Sequence, residues 1–164
     1  MLRDKNLIPL SRQHQHALAL CVRIDRASPV GGADLAGWQS EIAQHFQNEI
    51  KFHFAAEEQV LFPAAQRFPD LIALIDDLLT DHAALRESFA KAEAGRMSGT
   101  ELSAFGQRMS AHIRKEERQL FERMQDLVSA EELALLGARL DEALKEAAQA
   151  CALPADANKL PSAK

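Results

Sequence analysis

Cysteine is scarce in this chain of 164 residues, since only Cys21 and Cys151 are present. Two cysteines do not make a disulfide framework, and no cysteines stand at the paired spacing of a zinc finger. Cys21 lies in a helical apolar pattern, so we expect it to be a small buried residue. The sequence therefore argues against a disulfide-rich domain and against a cysteine-ligated structural zinc site.

Long uncharged apolar runs and an excess of positive charge are also missing. No run of about 18 uncharged apolar residues predicts a membrane span. Acidic residues outnumber basic ones by 24 to 19, which gives a net charge of −5. This balance argues against nucleic acid or an anionic membrane as the main partner. No apolar signal-peptide core follows the first residues, so we expect a cytoplasmic location.

The chain also has no βαβ pattern, no glycine-rich phosphate loop and no nucleophile elbow. Instead, apolar residues recur at spacings of three and four through most of its length, which predicts helices. The first is expected at about 12–27 and the second from Asp34 through Phe62. The third runs to about Gly95, the fourth through Met124 and the fifth to about residue 150. Their predicted N-caps are Ser11, Asp34, Asp70, Thr100 and the Ser129–Glu132 capping box.

These helices predict an all-α fold, an antiparallel up-down four-helix bundle with an additional C-terminal helix. Short connections between helices place sequence neighbours side by side and antiparallel. We expect one domain over residues 1–150, with the bundle at about 7–128 and the extra helix at about 130–150. A polar, flexible tail is expected at 151–164.

One decapeptide, His53–Phe62, occurs a second time as His112–Phe121, 59 residues later. The two copies share the histidine, both glutamates, the leucine and the phenylalanine. On an α-helix, a residue and its fourth successor are about 40° apart in rotation and roughly 6 Å apart along the axis. Each histidine therefore shares a face with the first glutamate after it. Two such faces brought together would suit a pair of first-row metal ions.

Two further histidines, His14 and His82, each lie in an apolar stripe and precede one copy of the repeat. Taken singly, such residues are more often hydrogen-bonded core residues or solvated helix pairs. Together they place one imidazole on each of four helices. Burying four imidazoles and two carboxylates without a counter-charge would be costly. The set thus predicts a dinuclear metal site, with the candidate ligands His14, His53, Glu57, His82, His112 and Glu116.

Motif spacing separates this site from other metal centres. Ferritin-like di-iron bundles use Glu-x-x-His, with glutamate first and a separation of three. Here the histidine comes first and the separation is four. The His-Glu-x-x-His motif of thermolysin-like zinc enzymes does not occur either.

The arrangement strongly resembles the hemerythrin family in its broad form, the domains often called HHE cation-binding domains. The resemblance covers about residues 7–128 and rests on the stretches Leu10–His14, His53–Pro63, Asp81–Arg86 and His112–Glu117. It implies two iron ions bridged by an oxo or hydroxo group and by the carboxylates of Glu57 and Glu116. The four histidines would be terminal ligands. Other divalent metals remain possible, because affinity order alone favours copper or zinc over iron.

The oxygen-carrying hemerythrins have a fifth histidine one helical turn from the third-helix ligand. The corresponding residues here are Leu78 and Arg86, which cannot replace it. Six protein groups leave more open positions on the metals, to be filled by water, by substrate or by His16. The resemblance therefore favours sensing or reactive chemistry with O₂, peroxide or nitric oxide over reversible oxygen carriage.

Other histidines fit the set less well. His16 lies about 200° around the helix from His14, so a regular helix directs only one of them to the centre, and we favour His14. His45 and Glu49 repeat the His-x-x-x-Glu spacing two turns before His53, about 12 Å away along the axis. We expect them to form a pair on the surface, or a pair that lies behind the ligands without binding metal.

The second glutamate of each repeat, Glu58 or Glu117, directly follows a candidate ligand. It is rotated by about 100° from that ligand on an α-helix. Two roles stay open for it. It is either a carboxylate on the helix surface or a hydrogen-bond partner that tunes a ligand histidine.

The sequence thus predicts a cytoplasmic non-haem di-iron protein, monomer or homodimer, that binds or senses a small diatomic molecule or peroxide. Whether it turns over a substrate stays open. One alternative is an iron donor or redox enzyme resembling the iron-sulfur-cluster repair members of the family. Those usually carry an N-terminal cysteine-bearing segment, and no cysteine precedes Cys21 here. The other is an interaction module with a structural metal, in which the fifth helix mediates dimerisation.

Overall fold

The computed structural model describes residues 2–27 and 34–152, with side chains as far as residue 145. Within these residues the chain folds into helices and contains no strand, which confirms the all-α prediction. The described helices are α1 (Ile8–Ala27), α2 (35–65), α3 (Pro69–Glu93), α4 (99–127) and α5 (Ala130–Ala152). The predicted Ser28–Gly32 break and the part of the tail beyond residue 152 lie outside the described residues. No described helix has the length and hydropathy that a membrane span requires.

Three predicted helix starts are wrong. α1 begins at Ile8 rather than after Ser11, with Pro9 in its first turn, where the missing N–H breaks no helical bond. α3 begins at Pro69, so Asp70 lies inside the first turn instead of capping it. Ser98 rather than Thr100 caps α4, in a reciprocal capping box with Glu101. Each linker contains several residues that could cap the following helix, and the sequence does not show which of them is used.

The other predicted ends agree with the structure. Asp34 caps α2 by accepting a 2.9 Å hydrogen bond from the backbone N–H of Gly37. α3 stops at Glu93, and Gly95 takes a φ of 64°, a left-handed conformation that glycine adopts without strain. The backbone N–H of Glu132 donates to Ser129 Oγ at the start of α5.

α2 and α4 each change from α-helical to π-helical geometry at a candidate ligand. The π-helical turns Glu57–Leu61 and Glu116–Leu120 begin at the first glutamates of the two repeats. A further π-helical turn in α2 covers Phe46–Ile50. A π-helical turn holds more residues than an α turn, so each residue rotates the helix by less than the usual angle of about 100°. The second glutamate of each repeat therefore stays closer to the ligand face than regular α geometry predicts.

Two apolar clusters form the core, and the candidate ligands lie between them. Along α1, for example, Leu10 belongs to one cluster and Ala17 to the other, with His14 between them. The first cluster includes Leu61, Leu78, Leu120, Phe121, Met124 and Leu136. The second includes Cys21, Ile24, Phe54, Leu85, Phe89, Phe105 and Met109. Burial of each large apolar side chain contributes about 1.5–3 kcal/mol, so apolar packing on both sides fixes the helices that carry the ligands.

Helix α5 closes the first cluster. Its residues Leu133, Leu136 and Leu140 are buried there, and α5 packs against α2. Gly137 lies close to Asn6, because a Cβ at this glycine would be 2.6 Å from the Cβ of Asn6. The apolar face of α5 is therefore used within the chain itself.

Candidate metal centre

The six predicted ligands come together in the middle of the molecule. All six side chains are buried, and Glu57, His82 and Glu116 are 0% exposed. Their ligand atoms form two overlapping groups, within each of which the atoms lie no more than 4.8 Å from one another. The first position is formed by His14, His53, Glu57 and Glu116, and the second position by Glu57, His82, His112 and Glu116. Both glutamates belong to both positions.

Glu57 directs its two oxygens to different histidines. Its Oε1 lies 3.0 Å from His53 Nε2 and 3.8 Å from His14 Nε2. Its Oε2 lies 3.4 Å from His82 Nε2. One carboxylate thus faces the first position with one oxygen and the second position with the other.

Glu116 also reaches both positions, with less separation of its oxygens. Its Oε2 lies 3.1 Å from His14 Nε2 and 3.4 Å from His112 Nε2. Its Oε1 lies 4.0 Å from His82 Nε2. Of the two glutamates, Glu57 has the clearer bridging geometry.

The polar atoms at the centre fit a cation. Six buried atoms make no directed hydrogen bond: both carboxylate oxygens of Glu57, both of Glu116, and the Nε2 atoms of His82 and His112. His14 Nε2 and His53 Nε2 lie 2.9 Å apart. Two nitrogens that each lie about 2.1 Å from one ion, at roughly a right angle, are separated by about 3 Å. A nitrogen and oxygen donor set of this kind suits first-row transition metals.

The pKa values of two histidines at the centre also indicate a site that attracts positive charge. Burial is the largest influence on the pKa of His14 and lowers it, but the nearby carboxylates of Glu116 and Glu117 outweigh burial and raise this pKa to about 10. The pKa of His82 is raised to about 9, because the nearby carboxylates of Glu57 and Glu58 likewise outweigh the effect of burial. The buried carboxylates thus attract positive charge strongly, and bound metal cations would supply it in place of protons.

The comparison with known families agrees with this geometry. The family model of the hemerythrin HHE cation binding domain matches residues 9–124. The chain belongs to the hemerythrin family. Comparison with curated proteins and with solved structures gives no match.

In this hemerythrin domain, the two candidate histidines outside the repeats, His14 and His82, are called the lone histidines. Each is held by a hydrogen bond on the side of its ring that faces away from the centre. His14 Nδ1–H donates to Glu117 Oε1, and His82 Nδ1–H donates to Glu58 Oε1, each at 2.7 Å. The carboxylate accepts the hydrogen bond from Nδ1–H and so keeps the proton on that nitrogen, which leaves each Nε2 free to face the centre. Of the two roles left open for these glutamates, the structure supports the bond to a histidine. The hydrogen bond to His82 is the main reason that the pKa of Glu58 is lowered to about 2.

The histidines of the two repeats, His53 and His112, also have a polar neighbour on the side facing away from the centre. In each case this neighbour directly precedes a lone histidine in the sequence. Gln13 Oε1 lies 2.8 Å from His53 Nδ1, within hydrogen-bonding distance. Asp81 Oδ2 lies 3.7 Å from His112 Nδ1, which is too long for a hydrogen bond but places a carboxylate beside that imidazole. Neither Gln13 nor Asp81 was predicted from the sequence, although both directly precede a predicted ligand.

Two arginines were also missed. Arg3 Nη2 lies 2.6 Å from Glu117 Oε2, and Arg86 Nη1 lies 2.8 Å from Glu58 Oε1. Each arginine thus pairs with a carboxylate that holds a lone histidine. Arg86 therefore has a role of its own, in addition to standing where the oxygen carriers have a fifth histidine.

The remaining predicted candidates lie away from the centre. His16 is exposed and its Nδ1 contacts Glu49 Oε1 at 3.0 Å, so His14 rather than His16 faces the centre. His45 is half-buried and Glu49 pairs with His16 instead, as a surface contact. Leu78 is buried in the first apolar cluster.

Proposed function

We propose that this protein is a non-haem di-iron protein that binds or senses O₂, nitric oxide or peroxide. In this proposal α1 to α4 form an antiparallel four-helix bundle around the two metal positions, and α5 lies outside it. Glu57 and Glu116 would each contribute to holding both irons, and His14, His53, His82 and His112 would be the other protein ligands, with an oxo or hydroxo group completing the centre. The overlapping donor sets, with two histidines each and both glutamates shared, support this assignment.

One observation favours a very small ligand. A cavity of about 10 Å³ adjoins the candidate ligands and has the following lining: His14, Ala17, Ile50, His53, Phe54, Met109, His112 and Ile113. A cavity of about 10–15 Å³ holds roughly one water-sized group. This cavity therefore has no room for a substrate of ordinary metabolite size.

The residues of the cavity wall also indicate how polar a bound molecule could be. Apart from the histidines, its lining residues are apolar, and their side chains offer no hydroxyl, amide or ammonium group. A neutral diatomic molecule is not penalised by such a wall, whereas a peroxide anion would find hydrogen-bond donors only among the histidines. Among the proposed ligands, the cavity thus favours O₂ and nitric oxide.

The residues of the chain have distinct tasks in this function. Iron, when bound, supplies the redox change and the open coordination position. The ring of Phe54 stacks on His82 with centroids 3.7 Å apart and planes at 15°, which restrains the orientation of that imidazole. Phe54, Met109 and Ile113 keep bulk water out of the cavity. Glu58 and Glu117 hold the Nδ1 protons of His82 and His14 and so maintain the tautomers that the metals require.

The decisive experiment is anaerobic reconstitution of the chain with ferrous iron, followed by metal analysis, oxidation and exposure to nitric oxide. The expected result is two irons per chain, near-ultraviolet oxo-to-iron absorption after oxidation, and a new spectrum with nitric oxide. One tightly held zinc per chain with no such absorption would contradict the proposal and support a structural metal. Two irons that transfer readily to an acceptor protein, without binding nitric oxide, would support an iron donor.

A further inference from the structure

The centre has an approximate internal twofold relationship that follows the sequence repeat. Gln13-His14 with His53, Glu57 and Glu58 in the first half corresponds to Asp81-His82 with His112, Glu116 and Glu117 in the second half. Glu117 of the second half binds His14, and Glu58 of the first half binds His82, both at 2.7 Å. In these contacts the two positions are equivalent.

The arginines follow the same relationship. Arg3 pairs with Glu117 and Arg86 pairs with Glu58, at 2.6 and 2.8 Å. Each lone histidine therefore has one outer carboxylate, and one arginine neutralises that carboxylate in part. The outer charge around His14 matches the outer charge around His82.

The relationship breaks at the outer partners of the two repeat histidines, His53 and His112. The outer partner of His53 is the neutral amide of Gln13, and the outer partner of His112 is the carboxylate of Asp81. Asp81 is buried, and Lys115 Nζ and Arg108 Nη1 contact it at 2.8 and 3.5 Å. These cations hold the carboxylate beside His112 and offset part of its charge. The second position has one more outer carboxylate than the first.

We propose that Gln13 and Asp81 are positioning residues that make the two metal positions unequal, so that the second position binds its cation more tightly. This inference rests on the dinuclear centre of the proposed function. A carboxylate beside a ligand imidazole increases the electron donation of that imidazole to a metal and adds direct attraction for the cation, whereas an amide provides only orientation. The first position loads last and loses its ion first.

The expected difference is modest. Replacement of an outer partner typically changes metal affinity by about 10–100-fold. Asp81 lies 3.7 Å from His112 rather than at hydrogen-bonding distance, and two cations share its charge. We therefore expect a difference of about tenfold between the positions, at the lower end of that range.

Isosteric charge swaps test this inference. Chains labelled with ¹⁵N-histidine are titrated with zinc, and the NMR signals of the ring nitrogens show which imidazoles bind first. Calorimetry measures the affinities of the first and the second zinc ion. With one equivalent of zinc, the wild-type signals of His82 and His112 should shift. Asp81→Asn and Gln13→Glu should each bring the two steps together. The double variant should restore two steps in the reverse order, with His14 and His53 binding first.

Asp77→Asn is the matched control, because Asp77 also contacts Lys115 but no histidine. It should leave both steps as in wild type, and melting curves check that every variant folds. Even loading of all four histidines in wild type, or an unchanged order in the double variant, would overturn the inference while leaving the dinuclear centre intact. Saturation at one ion would instead overturn the centre itself and with it this inference.

Discussion

Glu58 on α2 contacts His82 on α3, with 2.7 Å between Glu58 Oε1 and His82 Nδ1. The same oxygen accepts a hydrogen bond from Arg86, so one carboxylate joins a buried imidazole to a partly exposed guanidinium. Because the carboxylate holds the Nδ1 proton, His82 presents its Nε2 to Glu57 and the second position. The orientation of one candidate ligand, His82, thus depends on Glu58, which directly follows another candidate ligand in the sequence.

Replacement of Glu58 with glutamine tests this contact. The amide can accept the Nδ1 hydrogen bond but carries no charge, so we expect metal affinity to fall by about 10–100-fold without loss of the fold. Competition with a chelator of known affinity measures the change. Glu142→Gln on the exposed face of α5 is the control and should bind metal like wild type. Equal affinity in both variants would show that Glu58 does not act on the centre.

Replacement of either bridging candidate should lower the metal content. Glu57→Ala and Glu116→Ala each remove a carboxylate that faces both positions, so we expect at most one iron per chain in place of two. Metal analysis after reconstitution measures this. Glu49→Ala removes a carboxylate of the surface pair with His16 and should keep two irons. Retention of two irons by both bridging variants would rule out the shared role of these glutamates.

Filling the cavity should separate ligand binding from metal binding. Ala17 is 2% exposed and lines the cavity, so Ala17→Val places two methyl groups in a space of about 10 Å³. We expect nitric oxide affinity to fall at least about tenfold, equivalent to roughly 1.4 kcal/mol. Iron content should stay at two. The exposed Ala83→Val on α3 is the control. Unchanged nitric oxide affinity in Ala17→Val would mean that the ligand binds elsewhere.

Removal of the metal should destabilise the fold. A cation present at about 100 times its dissociation constant adds about 2.7 kcal/mol to the free energy of unfolding. For a domain of about 150 residues this corresponds to a shift in Tm of about 5–11 °C per ion. Thermal melts with and without a chelator measure the shift. A double Glu57→Ala, Glu116→Ala chain should be indifferent to the chelator, and an equal shift in that chain would point to a different metal site.

The start of α4 predicts a pH dependence that is independent of the metal. Hydrogen bonding to Lys91, followed by bonds to Ser98, lowers the pKa of Glu101 from 4.5 to about 2. A carboxyl with a lowered folded-state pKa stabilises the fold above the unfolded value, and this stabilisation is lost as pH falls through the folded value. The difference in unfolding free energy between metal-free wild type and Glu101→Gln should therefore shrink between pH 4.5 and about 2. A difference that stays constant over this range would contradict the prediction.

Helix periodicity made most of the centre predictable. The spacing of His53 and Glu57, or of His112 and Glu116, places each pair on one face by local geometry alone. His14 and His82 could be added because each lies in an apolar stripe. Helix starts were less predictable, since Ser98 and Thr100 can both cap and only the observed capping box with Glu101 selects Ser98.

The sequence by itself determined the all-α class and the set of six candidate ligands, because helical repeats depend on residues close together in the chain. Tertiary structure decided which residues stand behind those ligands. Glu117 meets His14 across 103 positions and Arg3 meets Glu117 across 114, and no local pattern encodes such pairs. The contrast between Gln13 and Asp81 is also visible in the sequence, but it acquires meaning only when packing places one beside His53 and the other beside His112.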